Sequence, residues 1–269
     1  MPKTKLNILP VRTFERLGVN DTERDIRRME TENIIVPDSE NQVIVQYKET
    51  DTETNIVLEQ NAGLKLIQIF DRKTQTVSKL KANLAENAKL NLFQLYLGSD
   101  TVSEIITELN GENAFFSAEI GYDLKEDDQL DINLIANHHG RKSVSDISVS
   151  GVLRENARKI FKGTIDFKHG SVGAAGNEKE DVILLSKNVR NKTVPIILCA
   201  EEDVIGNHGA TIGRIDERHI FYMKSRGIPE KKAYELIAKS KLMKVIEQID
   251  NEQVKKHIYG SLMWGDYLE

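Results

Sequence analysis

The sequence predicts a mainly β protein: a parallel β-helix (β-solenoid) with a short N-terminal lead-in and a C-terminal α-helical region. Two observations predict it. From Ile34 onward, short segments of alternating or doubly apolar residues follow one another with polar turns between them, and none reads as a long helix. Within these segments Asn61-Ala62-Gly63-Leu64-Lys65-Leu66-Ile67-Gln68 returns as Asn87-Ala88-Lys89-Leu90-Asn91-Leu92-Phe93-Gln94, and the Asn-Ala pair opens Asn113-Ala114-Phe115-Phe116, so the starts step by 26 residues. A period of about 20–50 residues, built from strands with no helices between them, is how a solenoid reads in sequence. Asparagine tolerates the left-handed backbone and suits the corners where such a coil changes face. The pair recurs at Asn156-Ala157, out of step. A meandering antiparallel sheet also spaces its strands regularly, and the repeat by itself leaves that alternative open.

Taken in order, residues 1–33 are polar and mixed in charge, and Asn20-Asp21-Thr22 is placed to cap a short helix through Thr22 to Met29. The β-helix core is expected over residues 34–213. Its first strands are Val43 to Tyr47, Asn55 to Leu58, Leu64 to Phe70 and Leu90 to Tyr96. Further strands follow at Leu130 to Ile135, Ser145 to Val149, Ile160 to Phe167, Val182 to Leu185 and Ile196 to Ala200. After Gly213 the pattern becomes helical, and residues 214–269 form the C-terminal region. Asp216 caps a helix from Glu217 to Arg226, and Gly227 suits its left-handed stop. Pro229 opens a second helix with Ala233, Leu236, Ile237 and Ser240 on one face, and a third spans Asn251 to Met263.

Composition bounds the function. The chain has 269 residues, enough for one or two domains, with 39% hydrophobic and 29% charged residues. Its net charge of −5 supplies no global basic field for nucleic acid or anionic lipid. The single cysteine, Cys199, excludes an internal disulfide and a self-contained four-cysteine cluster. Met1-Pro2-Lys3-Thr4-Lys5 leads into no apolar run, and no stretch approaches a membrane span, so a cytoplasmic location is expected.

Few residues point to chemistry. Gly170-Ser171-Val172-Gly173-Ala174-Ala175-Gly176 lacks the lysine of a phosphate loop and reads as a flexible loop. His138-His139 would face opposite sides of a strand and read as solvated turn residues, and Glu201-Glu202-Asp203 reads as an exposed turn. Cys199, at the end of Pro195-Ile196-Ile197-Leu198, reads as a small core residue, with a soft metal ligand at a subunit boundary as the sharper alternative. His208 stands among small residues in Gly206-Asn207-His208-Gly209-Ala210-Thr211, which leave its imidazole open to approach.

The stretch Gly206-Asn207-His208-Gly209-Ala210-Thr211-Ile212-Gly213-Arg214-Ile215-Asp216-Glu217, followed by Ile220-Phe221-Tyr222-Met223-Lys224-Ser225-Arg226-Gly227-Ile228 and Ala233, resembles the C-terminal signature of the SufB/SufD family of iron–sulphur cluster assembly proteins. The likeness extends upstream through Ser150-Gly151-Val152-Leu153 and Ala157-Arg158-Lys159-Ile160-Phe161-Lys162-Gly163-Thr164-Ile165. It implies a right-handed parallel β-helix and a non-enzymatic scaffold subunit of a SufBCD-type complex. Such subunits pair through the C-terminal end of the β-helix, as homo- or heterodimers, and dock a SufC-type ABC ATPase on the helical region. The cofactor implied is a transient iron–sulphur cluster shared at the subunit interface. Carried over by position, His208 matches an interface histidine near the assembly site and is the tentative metal ligand. Arg226, Gly227, Ile228, Ala233 and Ile237 match the segment that approaches the ATPase.

Departures separate this chain from its relatives. B-type members carry a cysteine where Glu178-Lys179-Glu180-Asp181 stands and a glutamate where Gly209 stands, and many D-type members carry a cysteine at the position of Gly206. The histidine motif is therefore D-like. An iron–sulphur cluster needs about four ligands, mostly thiolates, and one chain offers one cysteine and one candidate histidine. A heterodimer drawing thiolates from a B-like partner is the favoured arrangement, on the expectation that Cys199 lies in the core. Two alternatives are a purely structural dimerisation subunit and a β-helix enzyme acting on polysaccharide, the latter disfavoured by 6% aromatic residues.

Overall fold

A chain that turns after every short amphipathic strand can bury one side of each strand only by stacking successive coils, so that all the buried sides share one interior. The computed structural model, which describes residues 3–13, 15–26, 28–71, 74–98 and 100–262, shows this arrangement. A small antiparallel pair, β1 (Thr4–Leu6) and β2 (Thr22–Arg24), precedes the coils. The coils are built from β3 (Glu30–Val36), β4 (Asn41–Tyr47), β5 (Thr52–Leu58), β6 (Gly63–Phe70), β7 (Gln75–Leu84), β8 (Lys89–Leu97), β9 (Asp100–Leu109), β10 (Phe115–Leu124), β11 (Gln129–His138), β12 (Val144–Leu153), β13 (Arg158–Phe167), β14 (Ala174–Leu184), β15 (Arg190–Cys199) and β16 (Val204–Gly213). Odd-numbered strands from β3 to β15 form one seven-stranded sheet and even-numbered strands from β4 to β16 the other. Every pairing within both sheets is parallel, which selects the β-helix over the antiparallel meander.

The 26-residue repeat is the step between register neighbours: Gly63, Lys89 and Phe115 lie side by side in the even sheet. Asn61, Asn87 and Asn113 occupy one corner with φ of 57°, 56° and 56°. Their amides form a ladder, Asn113 Nδ2 donating to Asn87 Oδ1 and Asn87 Nδ2 to Asn61 Oδ1, both at 3.1 Å. The alanines that follow, Ala62, Ala88 and Ala114, are buried in the core beneath the corner. Asn156-Ala157 is out of step because it leads into β13, in the other sheet.

The interior is mostly aliphatic and aromatic, with Leu64, Leu90 and Phe116 stacked in one row and Phe70 on Tyr96 at 4.4 Å between ring centroids. Each such fully buried side chain contributes on the order of 1.5–3 kcal/mol. A glutamine column crosses this interior: Gln94 donates to Gln68 and Gln68 to Gln46, which ends on Glu32. Strands β7 and β9 had no clear expectation in the sequence, because their buried positions include Thr76, Ser78, Thr101 and Ser103.

Each outer face is covered in part, while Ile35, Val43 and Val57 of the first coils stay exposed. Three helices follow β16: α1 (Glu217–Ser225), α2 (Glu230–Glu247) and α3 (Glu252–Ser261). Leu242, Val245, Ile246 and Ile249, with Val254 and Ile258 of α3, lie on Ile67, Ile69, Phe93, Leu95 and Leu97 of the even sheet. Asp216 caps α1, accepting from Arg218 N at 2.9 Å, and Gly227 ends it with φ of 83°. The face expected for α2 is shifted: Ala233, Ala238 and Leu242 are buried, whereas Leu236 is 40% exposed. Asn251 caps α3, and the Met263 end expected for it lies outside the described residues.

The N-terminal segment packs on part of the odd sheet's outer face. Leu9 and Val19 pack on Val194, and Leu6 packs on Val77 and Val102. The helix expected from Thr22 does not form; Thr22 to Arg24 is strand β2, because its side chains are engaged by the sheet, Thr22 with Asp131 and Arg24 with Asp100. Among the described residues, no helix is long and apolar enough to cross a membrane.

Candidate functional site

Alternation along β14 decides what lies at the C-terminal end of the coil. Gly176, Glu178, Glu180 and Val182 are buried while Asn177 and Lys179 are exposed, so a row of two glutamates enters the interior. Gly163 makes room for the first: a Cβ at that position would stand 1.9 Å from Glu178 Oε2. Glu180 pairs with the fully buried Lys159 and accepts from Thr193 Oγ1 at 2.6 Å. Lys159 also lies 5.9 Å from the Tyr122 ring centroid.

Two carboxylates beside one ammonium in a dry interior cannot both ionise cheaply. Burial, reinforced by Glu180 and opposed by Lys159, pushes the Glu178 carboxyl up to about 8. Burial outweighs the attraction of Glu180 and lowers Lys159 from its ordinary value. The Tyr122 hydroxyl is raised by burial and then by Glu180 and Asp181, and its oxygen has no hydrogen-bond partner among the described residues. In the sequence Glu178 and Glu180 stand out only as part of the stretch that departs from relatives. Their alternation with Lys179 and Asp181 was the available signal.

Strands β15 and β16 form the last coil. His208 is the register neighbour of Glu178, and Cys199 that of Phe167, so both sit in rows that are interior one coil below. With no further coil stacked on it, β16 is exposed along nearly its whole length, and Ile205 is 64% exposed. His208 is exposed and, among the described residues, has no hydrogen-bond partner.

Cys199 is exposed, not a core residue, because the expected burial requires a following coil. Its Sγ donates to Glu201 O at 3.2 Å. A Cβ at Gly206 would meet Ile197 at 3.3 Å, so Gly206 lies across from Ile197. By the same pairing His208 lies across from Pro195, four residues from Cys199 along the strand, roughly 13 Å at 3.3 Å per residue. One chain therefore does not gather both on one metal ion, and no group of three or more metal-ligating side chains exists among the described residues.

Other expected positions are distributed differently. His138 is buried, not solvated; its nitrogens meet Ser143 and Ser145 at 2.8 and 2.9 Å, and burial lowers it to about 4. His139 is exposed beside Glu108. In the helical region, Arg226 lies over the Tyr222 ring at 5.3 Å, Gly227 makes the turn, and Ile228 is half-buried. Ala233 is fully buried and Ile237 packs against the cluster of Val152, Ile183 and Ala238, so these two hold α2 in place rather than offering side chains to a partner. Sequence reasoning missed the exposed aromatics of α1, Phe221 at 74% and Tyr222 at 59%.

The family description "SUF system FeS cluster assembly, SufBD core domain" matches residues 29–241, from just before the first coil into α2. The chain belongs to the SufBD family. It is 31% identical over 159 residues to an iron–sulphur cluster assembly protein SufD of Bacillus subtilis, covering 59% of this chain and 36% of that protein. To a SufD of Escherichia coli it is 26% identical over 180 residues, covering 66% of this chain and 43% of the relative. A SufBD family protein of Mycobacterium leprae is 24% identical over 235 residues, covering 82% of this chain and 60% of the relative. The chain thus spans between about a third and three fifths of the length of these relatives.

Proposed function

We propose that this chain is a scaffold subunit for iron–sulphur cluster assembly, pairing with a second SufB/SufD-like chain through the open end of its β-helix and binding a SufC-type ABC ATPase through its helical region. The observation that carries the pairing is β16, an edge strand with no further coil on it, exposed along nearly its whole length with Ile205 and Ile212 among its exposed residues, and carrying His208. His208 stands on that strand with a free imidazole and serves as one ligand to a cluster held between subunits. The cluster is cargo. Its thiolates come from the partner, because Cys199 lies too far along the strand to join His208 on one iron. The SufD names of the relatives support this assignment.

The ATPase contact is assigned to α1, where Phe221, Tyr222 and Arg226 are exposed. Energy for cluster release then comes from the partner, and this chain catalyses no step itself. The test is co-expression with the SufC-type ATPase and the SufB-like chain of the same organism, with masses by light scattering. A stoichiometric complex, lost in Phe221→Asp/Tyr222→Asp, is expected. In anaerobic reconstitution, His208→Ala is expected to keep the complex and lose the cluster absorbance. A cluster formed equally well by His208→Ala reduces the chain to a structural dimerisation subunit. Deleting α2 and α3 is a poor test, since it uncovers Ile67, Ile69 and Phe93.

A further inference from the structure

We propose that the cavity between the N-terminal segment and the outer face of the odd sheet is a binding site for a small tetrahedral oxyanion of the phosphate class. The cavity has a volume of 240 Å³ and is lined by Thr22, Arg24, Gln129, Arg158, Arg190 and Lys192, with Asp131 at its base. Strand alternation builds it. Lys159 turns inward to Glu180, so its neighbours Arg158 and Ile160 turn outward, and the register sets Arg190 directly beside Arg158 and Lys192 beside Ile160. Strand β2 of the N-terminal segment brings Thr22 and Arg24 against the sheet, to Asp131 and Asp100.

The charges in this wall do not cancel. Asp131 is neutralised by Lys162 at 2.8 Å and accepts from Asn7 Nδ2 and the Thr22 hydroxyl. Asp100 is matched by Arg24 at 2.9 Å. Lys192 donates to a backbone carbonyl, Leu17 O, and not to a carboxylate. Arg158 and Arg190 make no ion pair among the described residues, and Arg24 Nε is buried with no hydrogen-bond partner. Three uncompensated cations therefore share one small cavity in a chain whose net charge is −5. Like charges side by side on adjacent strands repel; Arg158 and Arg190 are exposed, so water screens part of that repulsion, and an anion between them removes the rest.

A tetrahedral oxyanion supplies the missing acceptors. Guanidinium forks bind such oxygens in bidentate fashion, and the Gln129 amide adds a neutral donor. The volume is below the roughly 300–1,000 Å³ of pockets that enclose drug-sized molecules, which favours phosphate or pyrophosphate over a whole nucleotide. The site lies on the outer face of the odd sheet, with Arg190 and Lys192 on β15 of the last coil, whereas His208 stands on β16 in the other sheet.

The test is calorimetric titration of the full chain with inorganic phosphate, pyrophosphate and ADP, each against chloride at matched ionic strength, for the native sequence and for Arg158→Gln/Arg190→Gln. Micromolar to low-millimolar binding of phosphate or pyrophosphate is expected, weakened at least tenfold in the double variant. If ADP alone binds and the double variant abolishes it, the anion is the phosphate of a nucleotide and the site stands. No binding of any of the three at millimolar concentration, or binding that the double variant leaves unchanged, overturns the proposal. The double variant's thermal midpoint without anion is expected to equal or exceed the native one, since it relieves repulsion, so loss of binding is separable from loss of fold.

Discussion

Replacing Glu178 by glutamine tests whether the polar row inside the coil has the protonation that its surroundings dictate. The carboxyl is buried, and its pKa stands at about 8 against an ordinary 4.5. A carboxyl whose folded value is raised is protonated in the native state while its unfolded counterpart is ionised. Its contribution is therefore fully present below pH 4.5 and is lost as pH rises toward 8. With about 1.4 kcal/mol per pH unit across that window, the native protein loses roughly 3–4 kcal/mol between pH 5 and pH 8 through this group alone. Glutamine keeps the shape and cannot ionise. The stability difference between Glu178→Gln and the native protein is thus expected to grow in favour of the variant by about that amount over the same interval. Urea unfolding followed by circular dichroism at several pH values between these limits measures it. Parallel pH profiles for the two proteins would refute the reasoning, showing that Glu178 is ionised in the fold at neutral pH.

Two further outcomes follow from the corners and the helix seat. Asn87→Ala loses two ladder hydrogen bonds and places a Cβ-bearing, non-asparagine residue at φ of 56°, so a loss of about 1–3 kcal/mol is expected. Asn87→Gly, which accepts that φ freely, is expected to lose less, and urea midpoints compare the two; an equal loss would show that the ladder, not the corner, dominates. At Gly121 a Cβ would lie 3.2–3.3 Å from Leu242, Leu95 and Val245, so Gly121→Val is expected to lift α2 from the even sheet at about 1–3 kcal/mol. Hydrogen exchange of α2 amides reads this directly: faster exchange confined to α2 and α3 is expected, and unchanged protection would mean that the helix seat yields without cost.

Much of the architecture was legible because its causes are local. An asparagine that takes the left-handed corner, an alanine that fits beneath it and alternating apolar residues after it all act within one coil. Three successive copies at one spacing pointed to stacked coils, and the parallel pairings of the structure exclude the antiparallel meander that the repeat left open. The caps of the helices, Asp216 and Asn251, and the stop at Gly227 are local in the same sense. Strands β7 and β9 were hidden because their interior rows carry Thr and Ser, which look like turn residues until neighbouring coils bury them. Thr22 resembles a helix cap for an equally local reason, and a partner more than a hundred residues away, Asp131, overrides it.

The sequence by itself determined the repeat, the corners, the helical tail and the family likeness that the SufBD match confirms. Only the tertiary structure decided which residues lie inside, because burial in a solenoid depends on whether another coil follows. Glu178 and Phe167 are interior since the last coil covers them, whereas His208, one step beyond Glu178, and Cys199, one step beyond Phe167, are exposed because no coil covers theirs. The same register that stacks Asn61, Asn87 and Asn113 in a bonded ladder sets Arg158 beside Arg190 with nothing between them.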